Sequence, residues 1–91
     1  PRMDDPAFAR LLDGVRARDP QAAVTFVRAY RPGLERYAAA VLRRAGARGR
    51  FDPEDVCQAV LLAFLGWLDR GGRPANDPEK VGRLLRRSAR N

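Results

Sequence analysis

Four Asp-Pro dipeptides divide this 91-residue chain, at residues 5–6, 19–20, 52–53 and 77–78. Asp is a good N-cap because its side chain accepts hydrogen bonds from free backbone N–H groups, and Pro at the first helical position loses nothing by lacking its own. Apolar residues at helical spacing follow each dipeptide, and no segment shows the two-residue alternation of a half-buried strand. The sequence therefore predicts an all-α fold, a compact bundle of about four helices.

Pro32 lies inside the second predicted helix, where proline commonly costs about 3 kcal/mol. The apolar rhythm keeps its phase across this residue, which favours one kinked helix over two separate ones. Gly46 and Gly49 are expected to end that helix, and the segment 71–74 to separate the third helix from the fourth.

Composition limits the chemistry that is open to this chain. It has no His and a single Cys, Cys57, which excludes the usual zinc sites, His-based acid–base catalysis and an intrachain disulfide. No acid–base pair, metal cluster or phosphate-binding glycine loop is evident, so we expect neither an enzyme nor a cofactor. No run is long enough to span a membrane and no signal peptide is recognisable, which predicts a soluble cytoplasmic protein without a membrane partner.

The net charge of +7 is unevenly distributed along the chain. Residues 1–19, 20–51, 52–69 and 70–91 carry net charges of 0, +6, −4 and +5. An acidic segment between two basic ones suggests two surfaces with two different partners. Alternatively, neighbouring helices simply neutralise one another.

The third predicted helix is apolar on too many sides for a small bundle to cover. On a helical wheel one broad arc faces the core, and it comprises Val56, Cys57, Val60, Leu61, Ala63, Phe64, Trp67 and Leu68. Leu62 and Leu65 fall outside this arc, beside Asp55, Gln58, Ala59 and Asp69. Such a strip is typical of a protein-binding surface. The alternative is that the first helix or the loop 48–51 covers the two leucines. Cys57, within the arc, is expected to be an inert core thiol.

The fourth predicted helix divides into an apolar half and a basic half. The apolar half contains Val81, Leu84, Leu85, Ser88 and Ala89. The basic half contains Lys80, Arg83, Arg86, Arg87 and Arg90, with Asn91 at its edge. This pattern is typical of a helix that docks on its own domain and presents cations to phosphates. A membrane-surface helix or a merely solvated charged face has the same pattern, although the former usually carries interfacial aromatic residues.

Several segments resemble the bacterial RNA polymerase sigma factors. Residues 51–69, FDPEDVCQAVLLAFLGWLD, resemble conserved region 2.2, with an acidic helix start, Asp-x-x-Gln and a following apolar run. Residues 84–91, LLRRSARN, resemble the region 2.4 signature Trp-Leu-x-x-Ile-Ala-Arg-Asn of the extracytoplasmic-function (ECF) group. Segments 19–26 and 30–37 are similar to region 2.1 of that group, including the proline inside the helix.

This resemblance covers about residues 8–91 and implies a single sigma region 2 domain over residues 1–91. The region 2.1-like part is about 8–45, the region 2.2-like part 52–69 and the region 2.3/2.4-like part 70–91, and region 4 is absent. The implied function is transcription initiation in the bacterial cytoplasm. Such a domain binds the β′ clamp helices of core RNA polymerase, recognises the promoter −10 element and helps to melt it, and can be held by an anti-sigma factor.

The resemblance also assigns residues to these two contacts. The polymerase contact would comprise Asp55, Gln58, Ala59, Leu62 and Leu65. The DNA contact, to the non-template strand of the −10 region, would comprise Arg73, Asn76, Lys80, Arg83, Arg86, Arg87, Arg90 and Asn91. The loop from residue 70 to residue 77 would hold a base flipped out of that strand.

The chain departs from the family pattern at several positions. Leu84 replaces the usual Trp and Ser88 the usual Ile, which predicts looser packing behind the last helix. Ala59 replaces a usual Glu, which weakens the charged part of the polymerase contact. The loop 70–77 has no aromatic residue, so base stacking, typically worth about 1–3 kcal/mol per base, cannot come from the loop itself.

Two other functions fit the same residues. One is a general basic helical module that binds nucleic acid without a polymerase partner. The other is a helical protein-interaction domain that uses Leu62 and Leu65. Binding to core polymerase would separate both from the sigma factor hypothesis.

Overall fold

A computed structural model describes residues 5–46 and 51–90 of the chain. It has four α-helices, α1 (Pro6–Arg16), α2 (Pro20–Arg44), α3 (Pro53–Asp69) and α4 (Pro78–Arg90), and no strand within the described residues. The predicted all-helical fold with four helices is confirmed. None of the four helices is long and apolar enough to cross a lipid bilayer.

Each helix begins at the proline of an Asp-Pro dipeptide, as predicted. The Asp5 carboxylate accepts hydrogen bonds from the backbone N–H groups of Ala7 and Phe8. The three other caps have the same geometry, each Asp accepting from the N–H two residues later: Asp19 from Gln21 at 3.0 Å, Asp52 from Glu54 at 2.9 Å, and Asp77 from Glu79 at 2.9 Å. Since an N-cap contributes roughly 1 kcal/mol, the four together help to define where the helices start.

Helix α2 continues without interruption through Pro32, which confirms one helix. Pro32 is exposed, so the backbone carbonyl that loses its donor there can be hydrated. Beyond α2, Gly46 has a φ of +70°, which suits a glycine after a helix end. The second predicted stop, Gly49, lies outside the described residues.

The core forms around α2, which packs against the other three helices. The Phe26 and Phe64 rings stack with their centroids 5.4 Å apart and their planes 4° apart, and Tyr30 lies 4.9 Å from Phe26. Side chains from all four helices pack with these rings in one core: Phe8, Leu12, Val15, Leu34, Cys57, Val60, Leu61, Leu68, Val81 and Leu85.

An ion pair ties the α1–α2 turn to the end of α3. Arg18 donates to both carboxylate oxygens of Asp69, from Nε at 3.0 Å and from Nη2 at 2.8 Å. Asp69 is the last residue of α3, where the negative end of the helix dipole disfavours a carboxylate. The bidentate guanidinium offsets that repulsion, and Arg18 adopts a positive φ of 63° where it reaches Asp69.

Tyr30 fastens the start of α4 to α2. Its hydroxyl donates to the Pro78 carbonyl oxygen at 2.7 Å. Burial, with a smaller contribution from the negative charge of Asp77, raises the pKa of Tyr30 to about 12. The phenol therefore stays protonated and hydrogen-bonded at a pH where an unfolded tyrosine ionises.

Substituting Tyr30 tests this link. Tyr30→Phe should lower the free energy of unfolding at neutral pH by about 1 kcal/mol, because the Pro78 carbonyl loses its donor. The stability of the native chain relative to Tyr30→Phe should fall as the pH rises from about 10 to about 12. In this range the unfolded native chain releases the Tyr30 phenolic proton before the folded chain does. Urea unfolding at a series of pH values measures both effects.

Tyr37→Phe is the matched control, because it removes the other phenol of the chain and keeps Tyr30. Because Tyr30 is kept, the alkaline loss of stability that Tyr30 causes should persist in this variant. An equal alkaline loss in Tyr30→Phe would contradict the assigned pKa shift.

Candidate protein- and nucleic-acid-binding surfaces

The predicted polymerase contact forms one side of α3, which we call the acidic α3 surface: Asp55, Gln58, Ala59, Leu62 and Leu65. The first four are exposed, with Leu62 59 % exposed. Leu65 is only partly buried and packs against the edge of the core. Four of the five residues are therefore exposed to solvent, and the fifth, Leu65, is partly exposed and partly packed against the core.

A groove of about 180 Å³ runs between α2 and this surface. Its walls are formed by Val27 and Arg31 of α2 and by Gln58, Leu61, Leu62 and Leu65 of α3. The Arg31 guanidinium is held by Glu35, whose carboxylate accepts from its Nε at 2.8 Å. The groove thus offers an apolar floor with an amide and a cation at its margin, which suits a partner helix with mixed side chains.

Within the described residues, Leu62 is not covered by α1 or by any other element. The loop expected as an alternative cover falls largely at residues 47–50, outside the described part. Neighbouring helices neutralise the negative charge of α3 only in part. Among the described residues, Asp69 is the one carboxylate of α3 in an ion pair. Glu54 and Asp55 lie in the first turn, where the helix dipole stabilises their charges, and neither is in an ion pair within the described residues.

The cations of α4 form a second surface, the basic α4 surface: Lys80, Arg83, Arg86, Arg87 and Arg90. All five are exposed, and no carboxylate of the described residues pairs with them. The apolar side of α4 is buried at Val81 and Leu85, as predicted. Ser88, which was expected on the apolar side, is exposed.

The structure divides this basic surface into two parts. Lys80, Arg83 and Arg87 line a hollow of about 400 Å³ together with Pro74 and Ala75 of the loop. Arg86 lines a separate groove of about 610 Å³, between α4 and the helices α1 and α2, and Arg83 borders this groove as well as the hollow. The helical wheel predicted one stripe, but only the first part faces the α3–α4 loop.

The α3–α4 loop, residues 70–77, is anchored by both ends of α1. The Asp5 N–H donates to the Asn76 carbonyl oxygen at 2.9 Å, and Arg16 Nη2 donates to the Gly72 carbonyl oxygen at 3.3 Å. Asn76 is partly buried and Arg73 is exposed, and neither lines the hollow. Asn91, the last predicted DNA contact, lies outside the described residues.

Trp67 differs most from its predicted position. It was expected in the core arc of α3, but it is 37 % exposed, and Ala63 beside it is exposed as well. Both line a groove of about 230 Å³ between α3 and α4, together with Leu84. Leu84 lies on the α4 side of this groove and does not fill it.

Gly72 lies against the indole of Trp67. Its N–H donates to the Trp67 carbonyl oxygen at 2.8 Å, and a Cβ atom added to Gly72 would meet the ring at 2.3 Å. Only a glycine allows the loop to cross the ring so closely. The double glycine at residues 71–72 is the sequence signal for this contact, although by itself it predicts only a break between helices.

Cys57 is fully buried, as expected. Burial raises the pKa of its thiol, which keeps the sulfur protonated and unreactive. Across residues 5–46 and 51–90, no group of three or more His, Cys, Asp or Glu side chains is placed to hold a metal ion.

Comparison with models of protein families, with curated proteins and with solved structures finds no match to this chain.

The contact between Gly72 and Trp67 generates a stability prediction. Gly72→Ala should lower the free energy of unfolding by about 1–3 kcal/mol, because either the indole or the loop must move to admit the Cβ atom. Urea unfolding measures the loss, and a shift of Trp67 fluorescence reports the displaced ring.

Gly33→Ala is the matched control, since its Cβ would meet nothing closer than the Arg36 guanidinium at 3.8 Å. In the interior of α2 this change should be neutral or stabilise by up to about 1 kcal/mol. If Gly72→Ala behaves like Gly33→Ala, the close packing of the loop on Trp67 is wrong.

Proposed function

We propose that this chain is the region 2 domain of an ECF-type RNA polymerase sigma factor, a non-enzymatic adaptor of transcription initiation. The observation that carries the proposal is the pair of chemically opposite surfaces on the neighbouring helices α3 and α4. An acidic and apolar surface suits a protein partner, and a basic surface beside a hollow suits a nucleic acid.

In the polymerase contact, the acidic α3 surface binds the clamp helices of the β′ subunit. Leu62 supplies apolar area, since its side chain is more than half exposed in the free chain and loses water on contact. Asp55 and Gln58 supply charge and hydrogen bonds that fix the register of the partner helix. Ala59 has no charged group where the family usually has a Glu. The apolar part of the contact therefore contributes more of the affinity.

In the promoter contact, the hollow between the loop and α4 receives the non-template strand of the −10 element. Lys80, Arg83 and Arg87 line this hollow on one side and can meet the phosphates, while Pro74 and Ala75 form the other side. Taking a base out of the stack typically costs a few kcal/mol. Contacts with the phosphates and with polymerase together offset that cost.

The anchoring of the loop supports the same proposal. A loop that captures a base must be held open before the base arrives, because ordering it on binding would subtract from affinity. Hydrogen bonds from Asp5 and Arg16 hold the Asn76 and Gly72 carbonyl groups in place. The hollow is therefore preformed.

The polymerase contact predicts a loss of binding for a double variant. Asp55→Arg with Gln58→Ala should weaken binding to a fragment containing the β′ clamp helices by about tenfold or more, because it reverses a charge and removes a hydrogen-bonding amide at the contact. Fluorescence anisotropy of a labelled clamp fragment measures the dissociation constant.

The control is Glu79→Arg with Gln21→Ala, which makes the same change of charge and removes the other glutamine at exposed positions outside the acidic α3 surface. It should leave the affinity within about twofold. Equal affinities for both double variants would contradict the polymerase contact.

The promoter contact predicts a change in salt dependence. Arg83→Ala with Arg87→Ala should weaken binding to a single-stranded −10 oligonucleotide and reduce the slope of log K against log salt by about 0.7 per lost phosphate contact. Arg43→Ala with Arg44→Ala removes the same charge from the end of α2 and should keep the native slope. Identical slopes in both variants would place the nucleic-acid site elsewhere.

Capture of core polymerase separates this proposal from its alternatives. A sigma domain should bring down core polymerase, and the Asp55 and Gln58 double variant should not. Binding to oligonucleotides without capture of polymerase would favour a general nucleic-acid-binding module, and neither activity would favour a protein-interaction domain with another partner.

A further inference from the structure

Trp67 is the only tryptophan of the chain, and it lines an apolar groove that the proposed function leaves unused. The groove lies between α3 and α4 and measures about 230 Å³. Its lining is almost entirely apolar, with one hydroxyl: Val60, Ala63, Phe64, Trp67, Leu84 and Ser88.

This groove adjoins the cationic hollow of the α4 surface. Leu84 lines both the groove and the hollow, and Arg87 of the hollow precedes Ser88 of the groove in the sequence. An aromatic, apolar site and a cluster of three cations therefore share one wall. A single ligand that spans both must have a flat apolar part and a negative charge close to it.

We propose that the groove between α3 and α4 binds a nucleobase of a single DNA strand, stacked on Trp67, while the phosphates of that strand lie along Lys80, Arg83 and Arg87. This inference rests on the DNA part of the proposed function and extends it with a second base site outside the loop. A nucleobase has the required flat face, and the adjacent phosphates have the required charge.

Charge favours this occupant over a second copy of the chain. A symmetric dimer through the groove would bring the basic α4 surface of one copy close to that of the other. Five cations on each side, without carboxylate partners among the described residues, would then repel one another.

The indole is held in position before any ligand arrives. Gly72 packs on the ring, and the Phe64 ring lies 5.7 Å away, tilted by 48°. A fixed ring loses little conformational entropy on binding a base, which favours affinity. Because Gly72 belongs to the α3–α4 loop, the ring is also fixed relative to the hollow.

The fluorescence of Trp67, the single tryptophan, reports directly on whether a ligand occupies the groove. The native chain is titrated at low salt with a single-stranded DNA of about ten nucleotides, and with an oligomer of equal length that has abasic sugar-phosphate units and no bases. We expect the DNA to quench Trp67 and to bind about 5- to 100-fold more tightly than the abasic oligomer, which has the same charge.

Two substitutions separate stacking from charge. Trp67→Leu should lose most of the preference for DNA over the abasic oligomer, whereas Trp67→Phe should retain much of it. Affinity for the abasic oligomer should stay within about twofold in both variants, since the three cations are unchanged. Circular dichroism and urea unfolding confirm that each variant is folded, and the quenching of the native chain does not depend on any substitution.

The outcomes distinguish failure of this inference from failure of the proposed function. If the native chain binds DNA without quenching, or if Trp67→Leu keeps the full preference for DNA, the base site at Trp67 is overturned and the promoter contact stands. If the native chain binds neither oligomer, the DNA part of the proposed function fails as well. Trp67 fluorescence that changes with protein concentration alone would identify a second copy in the groove and overturn the inference.

Discussion

The packing of Phe26 on Phe64 is the interaction on which the arrangement of this domain depends. It joins the centre of α2 to the buried side of α3, with ring planes only 4° apart. Once this side of α3 is fixed, Leu62 must point away from the core, because residues two positions apart on a helix lie about 200° apart around the axis. The same contact leaves Trp67 at the margin, where α4 covers it incompletely.

Much of the fold could be predicted from the sequence because its signals are local. An Asp-Pro cap acts within one helical turn, so all four helix starts follow from the dipeptides alone. The uninterrupted course of α2 through Pro32 follows from the phase of its apolar residues. Exposure of Leu62 was also predictable, since it depends on which side of α3 is more apolar.

The details of the candidate sites depend on contacts between distant segments, and these leave no periodic signal. A helical wheel treats the cations of α4 as one stripe, but Lys80 and Arg87 lie beside the loop, whereas Arg86 lies beside α1 and α2. Arg83 borders both sites. Trp67 belongs to the core arc by its angle, yet it is 37 % exposed because α4, which lies opposite it with Leu84, covers it incompletely. The anchoring of the loop by Arg16 depends on a separation of 56 residues.

Helix α3 connects the two proposed binding activities. The acidic α3 surface extends along it from Asp55 to Leu65, and its last turn carries Trp67, whose carbonyl oxygen accepts a hydrogen bond from the N–H of Gly72 in the α3–α4 loop. Gln58 and Trp67 are nine residues apart, which places them about 14 Å apart along the helix axis. A continuous helix keeps that distance constant. A polymerase subunit bound to the acidic α3 surface would therefore also determine where a captured DNA strand lies. Because α3 is one rigid helix, binding of polymerase to its acidic surface would fix the position of DNA bound beside Trp67.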